Sequence, residues 1–119
     1  MSKRSPSKLL QDMIGYARSG VKFVGDMSSE EFEADQKTYL AVTRAVEIVG
    51  EAAKGLPEGF RAAHPNIPWR KITGTRDILA HGYDIIEPSR LWDVARNDLP
   101  KLIDDLTAIL ESLESQSSD

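Results

Sequence analysis

A chain of 119 residues has room for one domain with its own core and too few residues for two. Its 40% hydrophobic and 29% charged residues are those of a soluble globular protein, and the lack of cysteine excludes disulfides, thiolate zinc sites and cysteine nucleophiles. A net charge of −4 argues against a protein that coats nucleic acid through bulk electrostatics, so any such contact has to come from a local basic patch.

The first helix is predicted from about Ser7, with Leu10, Met13, Ile14, Ala17, Val21 and Val24 at three-and-four spacing and Gly25 as its stop. Ser28 followed by Glu31 fits a capping box that opens a second, long helix to about Lys54, with Gly55 behind it. Along it Phe32, Tyr39, Val42, Val46, Val49, Ala53 and Leu56 form a continuous apolar seam. The stretch Pro57 to Pro68 reads as a loop around a short helical piece at Phe60–Ala63. A third helix is expected from near Asn66, with Pro68 in its first turn, to about His81, where Gly82 can end it. Pro88 and Ser89 open the last helix, with a seam of Trp92, Ala95, Leu99, Leu102, Leu106, Ile109 and Leu113. Pro100 should kink it or close its first segment near Leu99.

No segment alternates in the manner of a strand. The expected fold is therefore all-α, an up-and-down bundle of four main helices plus a short one, in a single domain over residues 1–119. Its core spans about 8–113, and a Ser-rich and acidic tail over 114–119 frays. No apolar run approaches the roughly 20 residues of a membrane helix. The basic residues Lys3 and Arg4 are followed by no long apolar stretch, so the expectation is a cytoplasmic protein with no membrane partner.

Only His64 and His81 are present, and neither is preceded by the Glu-x-x-His spacing of a carboxylate-bridged metal site in a bundle. No metal is expected, and no phosphate-binding glycine loop or nucleophile elbow occurs. Between Glu58 and Asp77 there is no acid, while Arg61, Arg70, Lys71 and Arg76 all fall there. This patch is either a solvated basic face or an RNA contact.

The segment from Trp69 to Tyr83 gathers Arg76, Asp77, His81 and Tyr83 into eight residues at a helix end. That set suits cleavage of an RNA phosphodiester, because the ribose 2′-hydroxyl is an internal nucleophile and needs no metal-activated water. A histidine can take or give the proton near neutral pH, and an arginine can stabilise the charge that builds on phosphorus. Arg76 and His81 lie about 140° apart around an ideal helix, so they do not share a stripe. Either the helix ends and His81 swings round, or a second copy completes the site in a two-fold dimer. Read as plain structure, the same Arg and His cap a helix C-terminus, Asp77 is a salt-bridge partner and Tyr83 is packing.

The run Pro65-Asn66-Ile67-Pro68-Trp69, then Ile72, then Gly74-Thr75-Arg76-Asp77-Ile78-Leu79-Ala80-His81-Gly82-Tyr83 closely resembles the signature of HepT-like proteins of the HEPN superfamily. Arg44 to Ala53 resembles that family's second-helix pattern, and Leu91-Trp92-Asp93 with Asn97 to Leu102 its closing helix. The resemblance implies a HEPN-like, homodimeric ribonuclease, the toxin of a type VII toxin–antitoxin system. It implies catalytic Arg76 and His81, with RNA as substrate and no cofactor on this chain. The implied partner is an MntA-like nucleotidyltransferase antitoxin that uses ATP to place AMP on Tyr83. Asp77 stands where members often carry Asn, and can orient His81 or pair with Arg76. Glu47 and Glu51 resemble polar positions facing the site, or else form a solvated stripe with Arg44 and Lys54. Relatives that act as non-catalytic, substrate-binding helical subunits of nucleotidyltransferases supply the rival reading.

Overall fold

Helix α1 runs Pro6–Val24, one residue earlier than expected, because Ser5 caps it by accepting the Lys8 N–H and Pro6 fits the first helical position. It buries Leu9, Leu10, Met13, Ile14, Ala17 and Val24. It stops at Gly25, whose φ of +48° is a conformation that side chains rarely take and whose N–H reaches back to the Val21 carbonyl. The computed structural model describes residues 4–81 and 86–117.

Both halves of the capping box at Ser28 and Glu31 form, at 3.1 and 2.9 Å. The helix they open is nevertheless short. Helix α2 covers Ser29–Ala34, and Asp35 breaks the chain with φ −110° and ψ 87° before α3, Gln36–Gly55, begins. The expected continuous helix to Lys54 is thus two helices. The cause is the Asp35 carboxylate, which accepts the Thr38 N–H at 3.0 Å and offers the backbone a cap instead of another turn. That bond also holds the Asp35 carboxyl below its ordinary pKa. The bend lets Phe32 enter the core completely, with its ring 5.9 Å from that of Tyr39.

A short helix α4, Glu58–Ala62, lies in the proline-rich connection. Helix α5 follows over Trp69–His81 and starts just after Pro68, whose carbonyl accepts the Ile72 N–H at 3.1 Å. The closing segment divides into α6, Pro88–Asp93, a π-helical turn at Val94–Asp98, and α7, Leu99–Ser117. Pro100 therefore ends the first segment near Leu99, and it does so by widening the helix. Lacking an N–H, it cannot bond the carbonyl four residues back, and in the wide turn the Leu99 N–H instead reaches Val94 five residues back.

Four main helices, α1, α3, α5 and α7, form the bundle, with three short ones (α2, α4 and α6) where a single one was expected. The largest interfaces are α1 with α3, α3 with α5, and α1 with α7. Leu10, Met13, Phe32, Leu56, Leu91 and Leu106 are its largest fully buried side chains. No charged or polar residue is buried among the described residues. Among the described residues, no helix is long and apolar enough to cross a membrane.

Candidate active site

Helix α5 carries the sequence motif and packs on the core through partly buried side chains, Trp69, Ile72 and Leu79. None of its described residues is fully buried, and it leans chiefly on α3. Its start is tied down by the Trp69 indole, which donates to the His64 carbonyl at 2.9 Å. Thr73 and Thr75 return their hydroxyls to the carbonyls of Trp69 and Lys71, at 3.1 and 2.7 Å, so their polar atoms are absorbed by the helix itself.

The two helices come closest where α3 has a glycine. A Cβ on Gly50 would lie 2.2 Å from the Arg76 Cβ and 3.0 Å from the Ile72 carbonyl oxygen. Only a residue without a side chain admits α5 at this depth. Arg76 therefore emerges at the point of tightest contact, and its side chain is only 24% exposed.

The guanidinium is held on two sides. Its Nη2 lies 3.6 Å from Glu51 Oε1, and its Nη1 donates to Asp77 Oδ1 at 3.2 Å. Lys54 Nζ donates to that same Asp77 oxygen at 2.8 Å. The Lys54 ammonium, and after it the Arg76 guanidinium, hold the Asp77 carboxyl below the ordinary carboxylate range. Two residues of α3, Glu51 and Lys54, thus meet two of α5, Arg76 and Asp77, in one quartet of alternating charge.

The remaining expected site residues divide. Asp77 joins Arg76, in keeping with the pairing alternative. Glu51 joins them. Glu47 pairs instead along its own helix with Arg44 at 3.3 Å and is not a partner of Arg76. His81 is the last residue of α5 and is exposed. The helix stays regular through it, so Arg76 and His81 remain about 140° apart and about 7.5 Å apart along the axis. Tyr83 and Gly82 lie outside the described residues.

Arg61 and Arg70 line a groove of about 630 Å³ between α4 and α5, beside Trp69 and Pro65. Arg61 is half-buried and Arg70 is exposed. Lys71 borders the same groove, but its ammonium is engaged by Asp98 at 3.0 Å. His64 packs its ring 4.7 Å from Phe60 and serves the loop. A second, mostly apolar groove of about 280 Å³ has Val46 and Val49 of α3 on one side, Ile72 of α5 and Leu99 and Leu102 of α7 on the others. Among the described residues no three His, Asp or Glu side chains gather as a metal-binding group.

Lys54 and Gly50 are contributors to which sequence reasoning gave no role in the site, Lys54 having been read only as part of a solvated stripe. Lys54 stands three residues after Glu51 on the same helix face, a spacing that fits a solvated stripe as well as a shared site.

An arginine braced between two helices, an exposed histidine at the end of the same helix and a groove lined by Arg61 and Arg70 beside its first turns make up the candidate site of this helical bundle. The family of ribonuclease HepT-like proteins matches residues 12–109, and the chain belongs to these HepT-like ribonucleases. It is 39% identical over 100 residues to a probable ribonuclease HepT of Thermococcus cleftensis, covering 84% of this chain and 91% of that one. It is 34% identical over 116 residues to a Methanocaldococcus jannaschii protein named "Putative RNase MJ0127", covering 98% of this chain and 96% of the relative. No solved structure matches the chain significantly.

Proposed function

We propose that this chain is the toxin of a type VII toxin–antitoxin system, an RNA endonuclease that works without metal or other cofactor. The observation that carries the reading is the Arg-x4-His-x-Tyr motif complete in the sequence of a HepT-like ribonuclease, with its arginine on α5 and braced against α3.

In the proposed reaction the ribose 2′-oxygen attacks the adjacent phosphorus and the 5′-oxygen leaves, giving a 2′,3′-cyclic phosphate and a free 5′-hydroxyl. His81 takes the proton from the 2′-hydroxyl or returns one to the leaving oxygen. Arg76 stabilises the extra negative charge on the phosphorane. The braced guanidinium keeps its direction, which lowers the reorganisation needed when that charge develops. Arg61 and Arg70 supply phosphate contacts along the strand.

The angular separation of Arg76 and His81 on a regular helix supports a homodimer in which two motifs face one shared RNA path. The antitoxin in this reading is an MntA-like nucleotidyltransferase that uses ATP to transfer AMP to Tyr83. An added phosphate beside Arg76 and His81 would compete with RNA for the same cationic groups.

The test is cleavage of total cellular RNA by purified protein with a metal chelator present, beside Arg76→Ala and His81→Ala. The expected result is cleavage by the wild type alone, with all three proteins giving the same helical circular dichroism. Wild-type protein that leaves RNA intact would overturn the nuclease reading and favour a binding subunit.

A further inference from the structure

The charge quartet contains a residue that the cleavage reading does not use. Arg76 lies between two carboxylates, Glu51 at 3.6 Å and Asp77 at 3.2 Å. One positive charge flanked by two negative ones is a poor ligand for a phosphate, because the two carboxylates surround it with a net charge of −1. Lys54 changes that balance. Its ammonium sits 2.8 Å from Asp77 Oδ1, closer than Arg76 does to the same atom.

We infer that Lys54 is a positioning residue that occupies the Asp77 carboxylate and so leaves the remaining donors of the braced Arg76 guanidinium available to an RNA phosphate. With Lys54 present the quartet is neutral, with Lys54 and Arg76 against Glu51 and Asp77. Without it, Asp77 closes fully on Arg76 and the site carries a net negative charge. A purely structural role for this pair is small, since both side chains are more than 40% exposed, at 43% and 44%. Exposed pairs of that kind add little to stability. The influence of Lys54 is therefore expected in RNA affinity and not in folding. The inference rests on Arg76 being the phosphate ligand, as in the proposed function, but does not require that the chain cut RNA.

The experiment measures binding of a fluorescent single-stranded RNA oligonucleotide by anisotropy in the His81→Ala background, with cleavage followed separately in the parent chain. Lys54→Met is expected to weaken binding about five- to tenfold, the effect of one uncompensated charge at contact distance in a wet site. Lys54→Arg keeps the pairing and should bind like the parent. Asp77→Asn alone should bind more tightly than the parent. The double variant Lys54→Met with Asp77→Asn returns the quartet to neutrality and should recover the parent affinity. Unchanged binding by Lys54→Met overturns the inference, as does a double variant no better than Lys54→Met alone. Thermal unfolding of each variant separates this from loss of fold: a Lys54→Met protein that binds weakly because it melts many degrees earlier also overturns it. If the binding pattern holds while the parent chain cuts no RNA, the nuclease reading falls and Lys54 keeps its role. If the parent cuts and the pattern is flat, the reverse holds.

Discussion

Replacing Gly50 by Ala sets two effects against each other. Alanine favours the helical state over glycine by about 1 kcal/mol. The added methyl, however, would stand 2.2 Å from the Arg76 Cβ and 3.0 Å from the Ile72 carbonyl oxygen. Both atoms belong to the α5 backbone or its first side-chain carbon, so no change of rotamer relieves the contact. Ordinary contact starts near 3.4 Å, so relief requires Arg76 and Gly50 to separate by about 1.2 Å. Overpacking of this order costs about 1–3 kcal/mol, which leaves a net loss of about 0–2 kcal/mol once the helical preference is counted. The stability effect is modest because α5 buries no residue fully and can lift away from α3.

The effect on chemistry should be much larger, since a displacement of about 1 Å at a positioned group costs on the order of a hundredfold in rate. Urea unfolding followed by circular dichroism would report the first quantity, and initial rates of RNA cleavage the second. Gly20→Ala is the matched control. Its Cβ meets Leu99 Cδ1 at 2.8 Å, the movable end of a leucine far along the chain from the motif, and Ala45 Cβ at a comfortable 3.8 Å. That variant should cut RNA at close to the wild-type rate. A Gly50→Ala protein with wild-type activity would refute the claim that this glycine sets the position of Arg76. So would an equal loss of activity in Gly20→Ala.

Two further outcomes test the scaffold. Leu106 is fully buried on α7, and Leu106→Ala should cost about 2–5 kcal/mol in urea unfolding, where a loss below about 1 kcal/mol would contradict its place in the core. The Asp35 carboxyl is held below its usual pKa by the Thr38 N–H. The stability it contributes is therefore complete above the unfolded-state pKa near 3.9 and is lost as pH falls through the lower folded value. Asp35→Asn keeps the cap without the titration and should unfold less steeply below about pH 4, and an acid limb identical to the wild type would count against that cap.

Much of the architecture was legible before any coordinates. The three-and-four spacing of α1 and α7 and the seam from Val42 to Leu56 translate directly into buried residues. The break at Asp35 was not legible, because Phe32 and Tyr39 are seven residues apart and keep the phase of an unbroken helix across it. Whether an aspartate lies inside a helix or caps the next one depends on the packing of Phe32, which periodicity does not encode. Pro100 marked the place of the irregularity in the last helix, but proline is equally compatible with a kink, a stop or a wide turn. In the candidate site, the motif singled out Arg76 and Asp77, which pair in the structure, and His81, which ends the same helix. The quartet was hidden because Lys54 and Asp77 are 23 residues apart and meet only when α3 and α5 pack. Gly50 was visible as part of a family-like run, yet the reason for it is a distance between two helices.

Helix α5 contributes none of its described side chains to the fully buried core, although it carries Arg76, Asp77 and His81. The fully buried core and the candidate site are consequently built from different amino acids. Changes on the outward positions of α5, such as Arg70 or Ile78, cost the scaffold little, since surface substitutions usually shift stability by less than about 0.5 kcal/mol. Substitutions at those positions therefore need no compensating changes inside the bundle.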